Sequence, residues 1–151
     1  MYYLKKEKKK PLFVKATPKK RKVDLVKKLD KVFSLYIRLR DTSPNGFFRC
    51  ISCGQIKPFA KADCGHYFSR RHMATRFSEL NCHAECSSCN RFKADHLIGY
   101  RENLIKKIGE QRYALLELES KQTKQWTDYE LEYLINRYRT LCLILKKEKN
   151  L

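Results

Sequence analysis

Leu25, Val26, Leu29, Val32, Phe33, Tyr36 and Leu39 recur at three- and four-residue spacing, which predicts one amphipathic helix from Val23 to Arg40. "SPNG" at 43–46 is a turn. "FFRCIS" at 47–52 is rich in aromatic and β-branched residues and reads as a strand. Residues 59–68 and 78–84 form two further short strands around the basic loop "SRRHMATR", and a helix starting at Ser87 or Ser88 carries Asn90 and Lys93. Leu97 to Ile108 and Gln111 to Leu118 are helical, with a break at Gly109. "TDYE" at 127–130 has the spacing of a capping box, Thr127 as N-cap and Glu130 reaching back. It opens a long helix whose Leu131, Leu134, Ile135, Tyr138, Leu141, Cys142 and Leu145 make an apolar stripe suited to packing on other helices.

Residues 1–22 break this pattern. They lack a periodic apolar face and hold ten Lys/Arg against one Glu, a net +9, so they read as a self-repelling, disordered arm. The expected fold is therefore α+β. The arm (1–22) is followed by a helix and turn (23–46), a small mixed core (47–96), and a helical region packing on that core (97–151). No repeat recurs along the chain, and 151 residues suit one domain.

Charge changes the picture most. Lys plus Arg number 34 against 16 Asp plus Glu, which leaves +18. So lopsided a balance predicts a polyanionic partner, because Lys and Arg gain affinity by releasing condensed counterions from phosphates. "PKKRKV" at 18–23 looks like a nuclear import signal, but such runs are common in nucleic-acid-binding arms, and Lys19, Lys20, Arg21 and Lys22 are read as phosphate contacts. No stretch approaches the roughly 20 apolar residues of a membrane span, and no apolar run follows the charged beginning as in a secretory signal. Seven cysteines on such a chain point to a reducing compartment, the cytoplasm, with thiolates used for metal.

Cys50 and Cys53 form one C-x-x-C and Cys86 and Cys89 another, with residues 54–85 between them. Two thiolates across a tight knuckle supply two corners of a tetrahedron at about 2.3 Å from zinc, and a second knuckle closes it. Such a four-cysteine site has no open position, so the zinc is structural and adds to folding free energy. It pins both ends of everything between the knuckles. Cys64, Cys82 and Cys142 are left as ordinary small side chains.

Between and after the knuckles lie "ADCGHYF" (62–68), "ELNCHAEC" (79–86) and "CNRFK" (89–93). Here the chain resembles the HNH, or ββα-metal, nucleases. His66, Asn81 and Asn90 stand where that motif has its strand-ending His, its Asn five residues before a knuckle Cys, and its helical Asn. Over roughly residues 47–140 the chain also resembles the NinG (Rap) recombination proteins of lambdoid phages, through "DCGHYFSRR", "RFSELNCHAECSSCNRFK" and "YRENLIKKIG". That resemblance implies a zinc-containing, structure-directed DNA endonuclease acting on branched recombination intermediates, phage or prophage encoded and working in the host cytoplasm.

Phosphodiester hydrolysis needs an activated water and positive charge on the pentavalent phosphate. His66, with an ordinary imidazole pKa near 6.5, is the candidate base. Asn90 offers an amide oxygen to a Mg²⁺ or Mn²⁺ ion, and Asn81 braces the loop carrying His66. Asp63 and His83 are candidate further ligands. Arg70, Arg71, Arg76 and Lys93 are candidate phosphate clamps. Many HNH sites have an Asp directly before the catalytic His, where this chain has Gly65. The expectation is that Gly65 permits a bulge bringing Asp63 to the face of His66. The competing reading is a zinc-containing nucleic-acid-binding module without catalysis. Either could act as a homodimer, since the arms of a branched DNA present two faces.

Overall fold

A computed structural model describes the backbone of residues 18–151 and the side chains from Asp24 onward. Residues 1–17 of the arm expected over 1–22, and the side chains of Lys19, Lys20, Arg21 and Lys22, lie outside the described residues. In chain order the elements are α1 (Pro18–Asp41), β1 (Phe47–Arg49), β2 (Ile56–Pro58), β3 (Ala62–His66), β4 (Cys82–Cys86), α2 (Ser87–Phe92), α3 (His96–Ile108), α4 (Glu110–Ser120) and α5 (Asp128–Lys149). The class is mixed α+β.

Among the described residues α1 is helical from Pro18, so the backbone of 18–22, expected as part of the arm, is helical. The apolar stripes of α1 and α5 face each other: Leu29, Phe33, Tyr36, Ile37 and Leu39 share one core with Leu131, Ile135, Tyr138 and Cys142. The Phe33 and Tyr138 rings meet edge to face at 5.0 Å. Cys142 Sγ reaches the Val32 carbonyl, 110 positions away, at 3.7 Å. The Lys149 ammonium donates to the carbonyls of Leu39 and Thr42 near the end of α1, satisfying acceptors that a helix terminus leaves open. The start of α5 is fixed by the capping box: Thr127 Oγ1 accepts from the Glu130 N–H, and the Glu130 carboxylate accepts from the Thr127 N–H. Gly109, at φ 85°, makes the break between α3 and α4.

Two small antiparallel sheets stand between these helices. In the first, β1 pairs with β2, Phe48 opposite Lys57. The second pairs β3 with β4 without interruption from Ala62↔Cys86 to His66↔Cys82. There is thus no bulge at Gly65. That glycine serves a different need, because a Cβ there would collide with the Glu85 carboxylate and press on the Tyr100 ring of α3. Alternation sends Ala62, Cys64 and His66 to one face with Cys82, Ala84 and Cys86, and Gly65, His83 and Glu85 to the other. The second face is covered by Tyr100, whose hydroxyl donates to the Gly65 and Asn81 carbonyls at 3.0 and 3.2 Å. No described helix is long and apolar enough to cross a membrane.

Candidate metal centre and the cavity beside it

Cys50 and Cys53 sit on the turn between β1 and β2. The Cys50 N–H donates to the Gln55 carbonyl, and the Gly54 N–H donates back to the Cys50 carbonyl, both at 2.9 Å. Gly54 takes φ 70°, which closes the knuckle. The second knuckle runs from the last residue of β4 into the first turn of α2. All four sulfurs lie within 4.8 Å of one another, and a zinc tetrahedron with bonds of about 2.3 Å needs edges of about 3.8 Å. The Cys86 N–H points at Cys50 Sγ, 3.2 Å away, a contact that favours thiolate. Burial pushes the Cys50 thiol up to about 11, so ionised sulfurs here need a cation for company. The donor set fits a metal such as zinc.

After the first knuckle and β2, the elements β3, β4 and α2 follow one another as strand, strand and helix, the last two carrying the second knuckle. His66 at the end of β3 and Asn90 on α2 line one cavity of about 460 Å³, with Cys64, Ser69, Arg70 and Arg71. A hollow of about 530 Å³ near Trp126 is larger but is lined by no His, Cys or carboxylate. His66 Nε2 lies 3.1 Å from the Arg76 carbonyl, and Nδ1 lies 3.3 Å from that of Cys64. A neutral ring donates from one nitrogen only, so one of these two carbonyls takes its N–H. Burial, helped by the nearby Arg70 charge and only partly opposed by the two carbonyls, holds the imidazole below its ordinary pKa. His66 is therefore neutral near pH 7, with a lone pair available.

Asn81 is fully buried. Its side chain grips both backbone groups of Phe68, accepting from the N–H at 2.8 Å and donating to the carbonyl at 2.9 Å, and it also donates to the Thr75 carbonyl at 3.0 Å. This ties down both ends of the loop that follows His66.

Other candidates are placed differently from expectation. With no bulge, Asp63 does not join the face of His66. It reaches α2 instead, accepting from Asn90 Nδ2 at 3.1 Å and from the Arg91 guanidinium at 2.7 and 2.8 Å. Burial alone would raise its pKa, but the Arg91 and Asn90 contacts outweigh that and lower it. His83 stands on the opposite face and is not part of the cavity. Its Nδ1 accepts from Arg40 and Lys107, each at 3.0 Å, and Asp41 lies 3.4 Å away. Two cations at that nitrogen leave no place for a third, so His83 is a buried link between α1, β4 and α3. Arg76 is engaged by both oxygens of Asp30 on α1, at 3.0 and 2.5 Å, and by the Arg70 carbonyl at 2.9 Å. It shapes the loop and is not free to clamp phosphate. Arg70 and Arg71 are exposed at the cavity, and Lys93 is exposed just beyond α2.

Three residues passed over in the sequence belong here. Cys64 and Cys82 gather with His66, their ligand atoms all within 4.8 Å. The signal was the shared parity of 64 and 66, but placing Cys82 beside them needs the strand register. Arg91 follows Asn90 directly and was hidden among many basic residues.

The NinG family model, described as Bacteriophage Lambda NinG protein, matches residues 3–148. The protein ninG of Escherichia phage lambda is 32% identical over 127 residues, 83% of this chain and 59% of the relative. That of Escherichia phage 933W is 32% identical over 127 residues, 83% of this chain and 60% of the relative. That of Salmonella phage P22 is 34% identical over 116 residues, 76% of this chain and 54% of the relative. The chain thus spans between half and three fifths of the length of these relatives. No solved structure matches.

Proposed function

The chain belongs to the NinG family of phage proteins, and from that premise we propose that it is a metal-dependent, structure-directed DNA endonuclease. It would hydrolyse phosphodiester bonds in branched recombination intermediates, on an HNH-like strand–strand–helix core held by a structural zinc. The observation that carries this reading is His66. It is a neutral imidazole, held by the Arg76 carbonyl, and it shares a cavity with Asn90 and two exposed arginines.

In this reading a water gives its proton to the unprotonated ring nitrogen of His66 as its oxygen attacks phosphorus. The bond to the leaving deoxyribose oxygen breaks, and that oxygen takes a proton from solvent. Arg70 and Arg71 hold the phosphate oxygens and offset the charge that builds on them. A bound Mg²⁺ or Mn²⁺ would polarise the phosphate and stabilise the leaving oxygen. Asn90 fits such an ion, since its amide nitrogen is spent on Asp63 and its oxygen remains an acceptor. Asp63 is the carboxylate nearest at hand. Its partner Arg91 is 60% exposed, an ion pair weak enough for phosphate to compete with. The +18 charge supports a nucleic-acid partner.

The test is cleavage by the zinc-loaded chain of branched and linear DNA, with Mg²⁺, Mn²⁺ or EDTA, beside His66→Ala. Divalent-dependent nicking that is lost in the variant, and stronger on branched DNA, is expected. Binding without cleavage under any metal would overturn the reading and leave a zinc-containing nucleic-acid-binding module.

A further inference from the structure

We propose that Cys64, His66 and Cys82 form a second metal site, of the thiolate–imidazole kind that takes Zn²⁺, on the floor of the same cavity. The four-cysteine cage does not use these residues, and phosphodiester hydrolysis uses only the histidine.

The placement comes from the ladder. His66 is directly opposite Cys82, and Cys64 is two residues back on the same face of β3. Three donors therefore point the same way from two hydrogen-bonded strands, and their ligand atoms all lie within 4.8 Å of one another. Tetrahedral zinc with bonds of about 2.0–2.3 Å needs edges of roughly 3.3–3.8 Å, which small side-chain rotations reach. Metal-bound histidines usually donate their second N–H to a carbonyl or carboxylate. His66 has a carbonyl at each ring nitrogen, Arg76 at Nε2 and Cys64 at Nδ1, so one can take the second N–H while the other nitrogen turns to the metal.

Burial favours the complex as well. Cys64 and Cys82 are 5% and 0% exposed, and a lone thiolate is costly in such surroundings. A zinc ion with two thiolates and a neutral imidazole carries no net charge, so the surroundings that oppose a lone thiolate do not oppose the complex. Binding releases two thiol protons to solvent. Soft sulfur donors select zinc over Mg²⁺. Three protein ligands leave a fourth position, and Cys64 and His66 line the cavity with Arg70 and Arg71, so that position is open to water or to a phosphate oxygen.

One consequence rests on the nuclease reading above. Zinc at this site takes the lone pair with which His66 accepts a proton, so it would switch hydrolysis off while the cage zinc remains.

The site itself is tested without DNA. The full chain, carrying zinc in the four-cysteine cage, is titrated with Co²⁺ as a spectroscopic substitute. A second equivalent should bind with thiolate-to-cobalt charge-transfer absorption and the visible bands of four-coordinate cobalt. Cys64→Ser and His66→Ala should each lose those bands while elemental analysis still finds the cage zinc. If the unaltered chain takes up only the cage ion, or if the bands survive in both variants, the site is refuted. The consequence is read separately, as Mg²⁺-dependent cleavage with and without added Zn²⁺. The added zinc should suppress cleavage by the unaltered chain at least about tenfold, an effect of about 1.4 kcal/mol, and should suppress Cys64→Ser clearly less. A chain that binds the second cobalt but never cleaves DNA would fail the nuclease reading and keep the site.

Discussion

The side chain of Asn81 closes on Phe68 as a neighbouring strand would. Its carbonyl oxygen takes the Phe68 N–H at 2.8 Å, and its amide gives to the Phe68 carbonyl at 2.9 Å. A third bond, to the Thr75 carbonyl, makes Asn81 the clasp of the loop that carries Arg70 and Arg71. Asn81→Ala leaves buried backbone groups unpaired and should cost about 1–3 kcal/mol. Asn81→Asp keeps the size and one acceptor but sets its second oxygen against two carbonyls, so it should be no better. Chemical denaturation measures the loss. Amide exchange should locate it in residues 67–75, and a wild-type exchange pattern there would refute the clasp.

Removing zinc should undo the strands and cavity before it undoes the α1–α5 pair. The four-cysteine cage joins the β1–β2 turn to the start of α2, and around it only Phe48, Ala62 and Ala84 form a small apolar cluster. Such a core is too slight to hold without its metal. Chelation should therefore lower the thermal midpoint and cut far-UV ellipticity only in part. Cys86→Ser should reproduce this, while Cys142→Ser, far from the cage, should keep full zinc content.

The pH profile follows from the depressed His66. A base must be unprotonated, and burial together with Arg70 holds its pKa below the ordinary 6.5. The acid limb of metal-dependent cleavage should therefore have its midpoint below pH 6.5, the rate falling as acid protonates the ring. Arg70→Gln removes one cationic neighbour, so the acid limb should move to higher pH. Burial remains, so the limb should stop short of an exposed histidine. A limb that moves the other way would contradict the assignment.

Asp63 and Arg91 separate ligand from tie. Loss of a tie alone should make Asp63→Asn and Arg91→Ala similar: slightly less stable, with cleavage little changed. If Asp63 holds the catalytic ion, Asp63→Asn should raise the Mg²⁺ concentration needed for half-maximal cleavage by about tenfold or more, a loss of about 1.4 kcal/mol. Arg91→Ala should not. Unchanged metal dependence in Asp63→Asn removes Asp63 from the site.

Much of this was legible in the chain because it is local. The α1 and α5 stripes, the Thr127 capping box and the C-x-x-C knuckles each need only a few neighbouring residues. What escaped depends on register or on distant partners. Strand β2 is three residues long, too short for alternation to declare itself. His83 looks available to an ion in the sequence, since nothing nearby says that Tyr100, Arg40 and Lys107 cover its face. Gly65 looked like a bulge, yet its smallness answers Glu85 and Tyr100, twenty and thirty-five positions later. Arg76 reads in the sequence as a phosphate clamp, since nothing near it in the chain says that α1 brings Asp30 against it.

The pairing of α1 with α5 also bears on how the chain is made. Val32 and Cys142, which touch in the finished molecule, are 110 positions apart. On the ribosome, Leu29, Phe33 and Tyr36 leave the exit tunnel long before Leu131, Ile135 and Tyr138 exist to cover them. The nascent helix must travel with a greasy flank uncovered, a stage at which chaperones or a neighbouring copy can seize it. Closure of so distant a contact is slow by its topology, so completion of this core waits on α5.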